Sequence, residues 1–113
     1  MKKTVFLFLV FIFVTSLAYA HPPQDIKISY DLETKILKAV IVHNTSNPKS
    51  HYIKKVDVGL NDKEIIEQAI SKQDNNDAQT VSYLIPDVKK GDRISVEGYC
   101  SISGKLKKEI TVQ

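Results

Sequence analysis

The sequence has one cysteine, no tryptophan and only four glycines in 113 residues. A single cysteine cannot form an internal disulfide, which excludes a disulfide-stapled scaffold. The sequence also lacks a glycine-rich phosphate loop and a cysteine pair of the kind that binds zinc. The chain is too short for two ordinary domains, and its 42% of hydrophobic residues excludes a disordered one. One small globular domain is therefore expected.

The longest apolar run lies near the beginning of the sequence. Lys2 and Lys3 precede the apolar run 5–14, and small residues stand at positions −3 and −1 of a cleavage site after residue 20. This pattern is typical of a secretory signal peptide. We expect residues 1–20 to be removed and residues 21–113 to form an exported domain, periplasmic or secreted. The apolar run is shorter than the roughly 20 residues needed to span a bilayer, so a retained membrane anchor is the alternative interpretation.

The charge of the chain belongs mostly to this export signal. Without Lys2 and Lys3 the formal net charge falls from +3 to +1. A nearly neutral domain has no electrostatic reason to bind nucleic acid. No second apolar segment follows, so no membrane partner is expected after cleavage, and no cysteine lies near the cleavage point to carry a lipid anchor.

Alternation of apolar and polar residues predominates in residues 21–113 and predicts β-strands. The predicted strands are 26–31, 36–43, 53–60, 64–70, 80–85, 93–100 and 106–112. A helix competes at residues 63–72, but the short turn before that segment favours a strand. About seven short strands in a chain of this size predict an all-β fold, an immunoglobulin-like β-sandwich that lacks the usual disulfide.

The histidines and the cysteine lie at predicted strand ends or in loops. His43 ends the second strand, His51 precedes the third, Cys100 ends the sixth, and His21 heads the domain. If one end of the sandwich gathers these residues, imidazoles and a thiolate could bind iron, copper or zinc, but not calcium or magnesium. The alternative interpretation is a small buried cysteine with solvated loop histidines.

The order of motifs resembles the iron domain of superoxide reductases, the neelaredoxin and desulfoferrodoxin family, over nearly all of residues 21–113. The matching motifs are His21-Pro22-Pro23, then His43 followed by His51-Tyr52-Ile53, then Tyr99-Cys100 with Gly104 after it. The resemblance implies a seven-stranded immunoglobulin-like sandwich. It also implies a mononuclear iron site, ferrous in its reactive state, that reduces superoxide to hydrogen peroxide with electrons from an external donor.

The resemblance also implies the ligands of that site. These are three imidazoles and one thiolate, from His21, His43, His51 and Cys100. In the family a fourth imidazole comes three residues after the cysteine, where this chain has Ser103, and a Glu-Lys pair before the first histidine falls here at Tyr19-Ala20. We therefore expect superoxide reductase activity that is weakened by the loss of one ligand and of the lysine that attracts superoxide.

Two alternatives to an active reductase remain open. Cleavage after Ala20 would give His21 a free α-amine, which could fill the place left by Ser103 or favour copper, the metal highest in the divalent affinity order. With the amine the set has five ligands again. A non-enzymatic metal-binding module for copper or iron is the first alternative. The other alternative is a sandwich used for protein contacts, with Cys100 buried and inert.

Overall fold

The computed structural model describes residues 21–113, and within them it contains seven β-strands and no helix. The strands are β1 (Asp25–Asp31), β2 (Ile36–Val42), β3 (Ile53–Leu60), β4 (Lys63–Ala69), β5 (Ala78–Leu84), β6 (Arg93–Cys100) and β7 (Lys105–Thr111). The predicted strands agree with these bounds to within two residues. The predicted signal peptide lies outside the described residues. In the described part of the chain there is no apolar helix of the length needed to cross a membrane.

The strands form two antiparallel sheets, which confirms the predicted β-sandwich. One sheet has the order β1-β2-β5 and the other the order β4-β3-β6-β7. Constant-type immunoglobulin domains instead place the fourth strand beside the fifth, in the first sheet. Here β4 pairs with β3, because the turn between these two strands is too short to cross to the other sheet.

That turn consists of Asn61 and Asp62, which both have positive φ angles, of 50° and 69°. Positive φ at both central residues defines a type I′ turn, which matches the twist of the strands that it joins. The Asn61 amide accepts a hydrogen bond from the Arg93 N–H at 2.9 Å and donates one to Asp92 at 3.1 Å. The segment that could have been a helix is therefore a hairpin strand, as the short turn predicted.

The hydrophobic core lies between the two sheets. Its inward-facing residues alternate along the central strands and include Leu37, Ala39 and Ile41 on β2 and Ile94 and Val96 on β6, all at most 1% exposed. Gly98 continues the inward row of β6. A β-carbon on Gly98 would lie 3.0 Å from Cγ2 of Ile41. The sheets therefore approach closely near the carboxyl ends of β2 and β6.

Polar side chains join the two sheets along both open sides of the sandwich. On one side Lys108 Nζ lies 2.7 Å from Asp25 Oδ1, which links β7 to β1. On the other side the Tyr83 hydroxyl donates a hydrogen bond to Gln68 Oε1 at 2.5 Å, which links β5 to β4. The loops lie at the two ends of the sandwich, and the candidate site is at one of these ends.

Candidate metal centre

The three histidines meet at one end of the sandwich. His21 precedes β1, His43 directly follows β2, and His51 lies two residues before β3. His21 and His43 thus belong to strands of the three-stranded sheet, whereas His51 leads into the four-stranded sheet. The loop 44–52 leads from β2 in one sheet to β3 in the other. It places His51 beside His43 at the same end of the sandwich.

The imidazole rings are close enough to share one metal ion. The ring centroid of His43 lies 4.7 Å from that of His51 and 5.0 Å from that of His21, and the remaining pair is 5.1 Å apart. One ring nitrogen from each histidine lies within 4.8 Å of the other two. The three imidazoles therefore lie together at one end of the sandwich.

His43 is completely buried, and one of its two ring nitrogens has a defined partner. Nδ1 of His43 lies 2.8 Å from Oε1 of Gln73, a residue of the loop between β4 and β5. Nε2 of His43 is buried and has no hydrogen-bond partner among the described residues. Burying a polar atom without a partner is costly, so this nitrogen is marked as one that a ligand would satisfy.

Gln73 is the site residue that sequence reasoning missed. It begins the polar segment 73–78, which reads as a solvated loop, yet its side chain is 1% exposed. Its Oε1 also accepts a hydrogen bond from the Ile53 N–H at 3.2 Å, and its Nε2 donates to the carbonyl oxygen of His43 at 2.7 Å. The partners of Gln73 are mostly backbone atoms of distant residues, and no local sequence pattern reveals such partners.

His51 is held by the turn that precedes it. The N–H groups of Ser50 and His51 donate to the carbonyl oxygen of Asn47 at 3.2 and 2.9 Å. The next residue, Tyr52, donates its N–H to Ser101 Oγ at 3.1 Å and accepts from the Ser101 N–H at 2.8 Å. Nε2 of His51 is buried and, like that of His43, has no partner within residues 21–113.

Burial also keeps these imidazoles neutral. Desolvation is the main cause that lowers the pKa of His43 below its usual value of 6.5, and the charge of His21 lowers it further, while the Gln73 hydrogen bond and a weaker contact with the His21 backbone raise it. Desolvation likewise lowers the pKa of His51, with smaller contributions from His43 and His21. A neutral imidazole offers a lone pair, which is the form that binds a metal.

His21 is positioned by the chain that follows it. Pro23 is buried, and Pro22 packs against Gly104, where an added β-carbon would lie 3.0 Å from N, Cα and Cβ of Pro22. Gly104 itself has a φ of +89°, a conformation that L side chains rarely adopt. The loop between β6 and β7 is thus a support for the segment that carries His21.

Cys100 lies at the same end of the sandwich but outside the histidine group. It is 3% exposed and pairs with Ile53 across β6 and β3. Cys100 lies two residues after Gly98, and His43 lies two residues after Ile41, so both follow the place where the sheets approach closely. Its Sγ is not among the described ligand atoms that lie within 4.8 Å of one another. The structure therefore gathers the three imidazoles and places the thiol nearby, in the core below that end.

Ser103 is exposed and shares a cleft with Cys100, which Lys54 and Lys105 also line. A second cleft, of about 350 Å³, opens beside His21 and His51. Its other lining residues are Asn44, Thr45, Ser46, Asn47, Ser50 and Ile102. Among the described residues this lining includes no lysine, arginine, aspartate or glutamate, so the cleft beside the histidines carries no fixed charge.

The donor set fits a transition metal. Two buried, unpartnered Nε2 atoms and a third imidazole are borderline ligands of the kind that iron, copper and zinc accept. The hydrogen bond from Nδ1 of His43 to an amide oxygen is the outer-shell contact that ligating histidines commonly make. The residues present therefore fit the implied metal, with room for further ligands on the cleft side.

A second group of close ligand atoms, from Asp57, Glu64 and Glu67, lies on β3 and β4. Both glutamates are exposed, and Lys55 Nζ lies 3.6 Å from Asp57 and 3.8 Å from Glu67. The lysine partly neutralises these carboxylates, while Oδ1 of Asp57 is buried and has no hydrogen-bond partner among the described residues.

Comparison with known proteins identifies no relative: no protein-family model matches the chain, and no curated protein matches it. The resemblance to superoxide reductases therefore stands as an expectation drawn from the motifs.

Proposed function

We propose that the domain binds a single transition-metal ion through His21, His43 and His51, and that this ion is iron, as in the superoxide reductases that the motifs resemble. The observation that carries the proposal is the pair of buried Nε2 atoms, on His43 and His51, that have no partner among the described residues. Both belong to rings in mutual contact, and a metal ion between the rings would satisfy both at once.

Cys100 is the proposed fourth ligand, on the core side of the histidines. Its burial and its place at the carboxyl end of β6 support this role, although its sulfur must move closer to the rings when metal binds. A thiolate donates electron density to the metal, which favours oxidation of a ferrous ion. The cleft beside His21 and His51 would give a small molecule access to an ion held by these histidines.

The proposed reaction is the reduction of superoxide to hydrogen peroxide. A bound ferrous ion would supply the one electron that this reduction needs, and an external donor would return it afterwards. The two protons come from solvent through the open cleft. Lys54 and Lys105, which line the neighbouring cleft with Cys100 and Ser103, provide the positive charge that attracts an anion. They would replace the lysine that the family carries before its first histidine.

The test is metal analysis of the protein purified from the exported fraction, with intact mass to establish whether the chain begins at His21. We expect one iron per chain and, after oxidation, a thiolate-to-ferric charge-transfer band. Cys100→Ser should abolish that band, and His51→Ala should release most of the metal. Metal binding equal to the parent in both variants would show that neither residue is a ligand.

A non-enzymatic metal-binding module is the second candidate. It is favoured by the lining of the cleft beside the histidines, which has no fixed charge within residues 21–113, and by serine at the position of the fourth imidazole. In this case the purified protein would carry copper or iron and would not accelerate superoxide decay. A copper spectrum without a thiolate-to-ferric band would favour this candidate over the first.

A further inference from the structure

The side-chain amide of Gln73 makes four hydrogen bonds next to the histidine group. Its Oε1 lies 2.8 Å from Nδ1 of His43 and accepts from the Ile53 N–H, and its Nε2 donates to the carbonyl oxygens of His43 and Asn75 at 2.7 and 2.9 Å. The backbone N–H of Gln73 donates to the carbonyl oxygen of Pro48 at 3.0 Å. The residue thus joins the end of β2, the start of β3 and the loop that carries His51.

These backbone partners fix which way the amide points. A backbone N–H can only donate a hydrogen bond and a backbone carbonyl can only accept one. The Ile53 N–H therefore requires an oxygen at its side of the Gln73 amide, and the carbonyl groups of His43 and Asn75 require the NH₂ group at the other side. A flipped amide would break three hydrogen bonds in a buried place, at a cost for each of them.

The amide direction then fixes the proton on His43. Since Oε1 of Gln73 can only accept, Nδ1 of His43 must carry the hydrogen, and the neutral ring keeps its lone pair on Nε2. Nε2 is the buried atom without a partner in the described chain. The tautomer of His43 is thus selected by backbone groups of His43 and Ile53, which adjoin different sheets. The folded chain has this tautomer before any ligand binds.

We propose that Gln73 is a positioning residue that locks His43 in its Nδ1–H tautomer and thereby presents Nε2 to the metal site. The proposal rests on the proposed metal-binding function. Gln73 does not itself contact the metal. It removes the cost of reorienting or re-protonating a buried ring, and outer-shell partners of this kind are worth about 10- to 100-fold in metal affinity.

The experiment uses imidazole ¹⁵N NMR on the metal-free protein and Co²⁺ titration on the same samples. Gln73→Met keeps the length of the side chain but removes the acceptor. We expect His43 to lose its pure Nδ1–H signature in this variant and the Kd for Co²⁺ to rise by about 10- to 100-fold. Gln73→Glu keeps the oxygen that accepts from His43, but it replaces the NH₂ group by an oxygen that faces the carbonyl oxygens of His43 and Asn75. This variant should be less stable and should still retain the Nδ1–H tautomer of His43.

Gln79 offers a matched control. It is also a buried glutamine, at 6% exposure, and its side chain bonds to Asp74 and to the Thr80 carbonyl oxygen without touching a histidine. Gln79→Met should therefore lose stability but keep both the tautomer and the Kd for Co²⁺. If Gln73→Met keeps the parent tautomer, or raises the Kd no more than Gln79→Met does, the proposal is wrong. If the parent binds no Co²⁺, the proposed function fails, whereas the tautomer measurement still decides the role of Gln73.

Discussion

Pro22 lies so close to Gly104, in the loop between β6 and β7, that a side chain at position 104 would displace the proline. An added β-carbon would stand 3.0 Å from three atoms of the proline. Because Pro22 directly follows His21, this contact holds one metal-binding candidate in place from the opposite sheet. The position of His21 thus depends on a residue more than eighty positions later in the chain.

Gly104→Ala should weaken metal binding by displacing Pro22 and with it His21. We expect about a tenfold higher Kd, equivalent to about 1.4 kcal/mol, measured by Co²⁺ titration. Gly91→Ala is the control, because Gly91 has nearly the same φ, +91°, but no atom within 4 Å of an added β-carbon. Both variants should lose about 1 kcal/mol of stability from backbone strain. Equal Kd values in the two variants would show that the Pro22 contact does not position His21.

Ser103→His should restore the imidazole that the resemblance assigns to this position. Ser103 is exposed and shares a cleft with Cys100, so the new ring would lie beside the proposed thiolate ligand. We expect the Kd for Fe²⁺ to fall by about tenfold, equivalent to about 1.4 kcal/mol, and superoxide to decay faster. Ser82→His, at an exposed position of β5, controls for the addition of a histidine.

The same variant tests whether the α-amine of His21 is a ligand. If the amine already fills the place of the fourth imidazole, Ser103→His changes little, and an extra residue before His21 weakens iron binding instead. If neither Ser103→His nor the extra residue before His21 changes the iron content or the rate of superoxide decay, the iron-site proposal is wrong.

The strands could be predicted because their signals are local. Ile26, Ile28 and Tyr30 alternate with polar residues, and in the structure the first is buried while the others pack against the core. The two-residue turn at Asn61 decided between strand and helix for β4 in the same local way. The segment 73–78 shows the limit: it is polar and reads as a loop, but Gln73 is buried there because its partners come from β2 and β3.

The sequence places the candidate ligands at strand ends and in loops, but it does not give their geometry. The histidines at strand ends could have faced solvent at either end of the sandwich, and their convergence depends on how the two sheets pack. Cys100 shows the remaining gap. Its apolar strand predicts burial, which is confirmed, whereas its place outside the histidine group depends on how the two sheets pack, which no local residue pattern encodes.

The metal-free protein should lose stability as the pH falls through 6.5, the usual pKa of an imidazole. His43 and His51 have pKa values below the usual 6.5 in the folded state, so the unfolded chain binds protons first and acid favours unfolding. Glu64, whose pKa is raised chiefly by Asp57, acts in the opposite direction but is exposed, so its effect is small. Urea unfolding at several pH values measures the slope, which His51→Gln should reduce. A flat profile would contradict the burial of these rings.

Gly98→Ala should destabilise the fold because its β-carbon would stand 3.0 Å from Cγ2 of Ile41. We expect a loss of about 1–3 kcal/mol, typical of overpacking, in urea unfolding. Ile41→Ala alone should cost about 2–5 kcal/mol through the cavity that it leaves. In the double variant the new methyl group has space, so the combined loss should be smaller than the sum. Strict additivity would mean that the two residues do not limit the approach of the sheets.

The division of the histidines between the two sheets has a mechanical consequence. An ion held by His43 and His51 would be a cross-link between the layers, in a domain whose one cysteine leaves it without an internal disulfide. Because the ion would bind the folded chain and not the unfolded one, it would stabilise the fold by about 2.7 kcal/mol when the free metal is at about 100 times its Kd. The lifetime of the fold would then follow the supply of metal in its compartment, and a chelator would act on this protein as a reductant acts on a disulfide-bonded one.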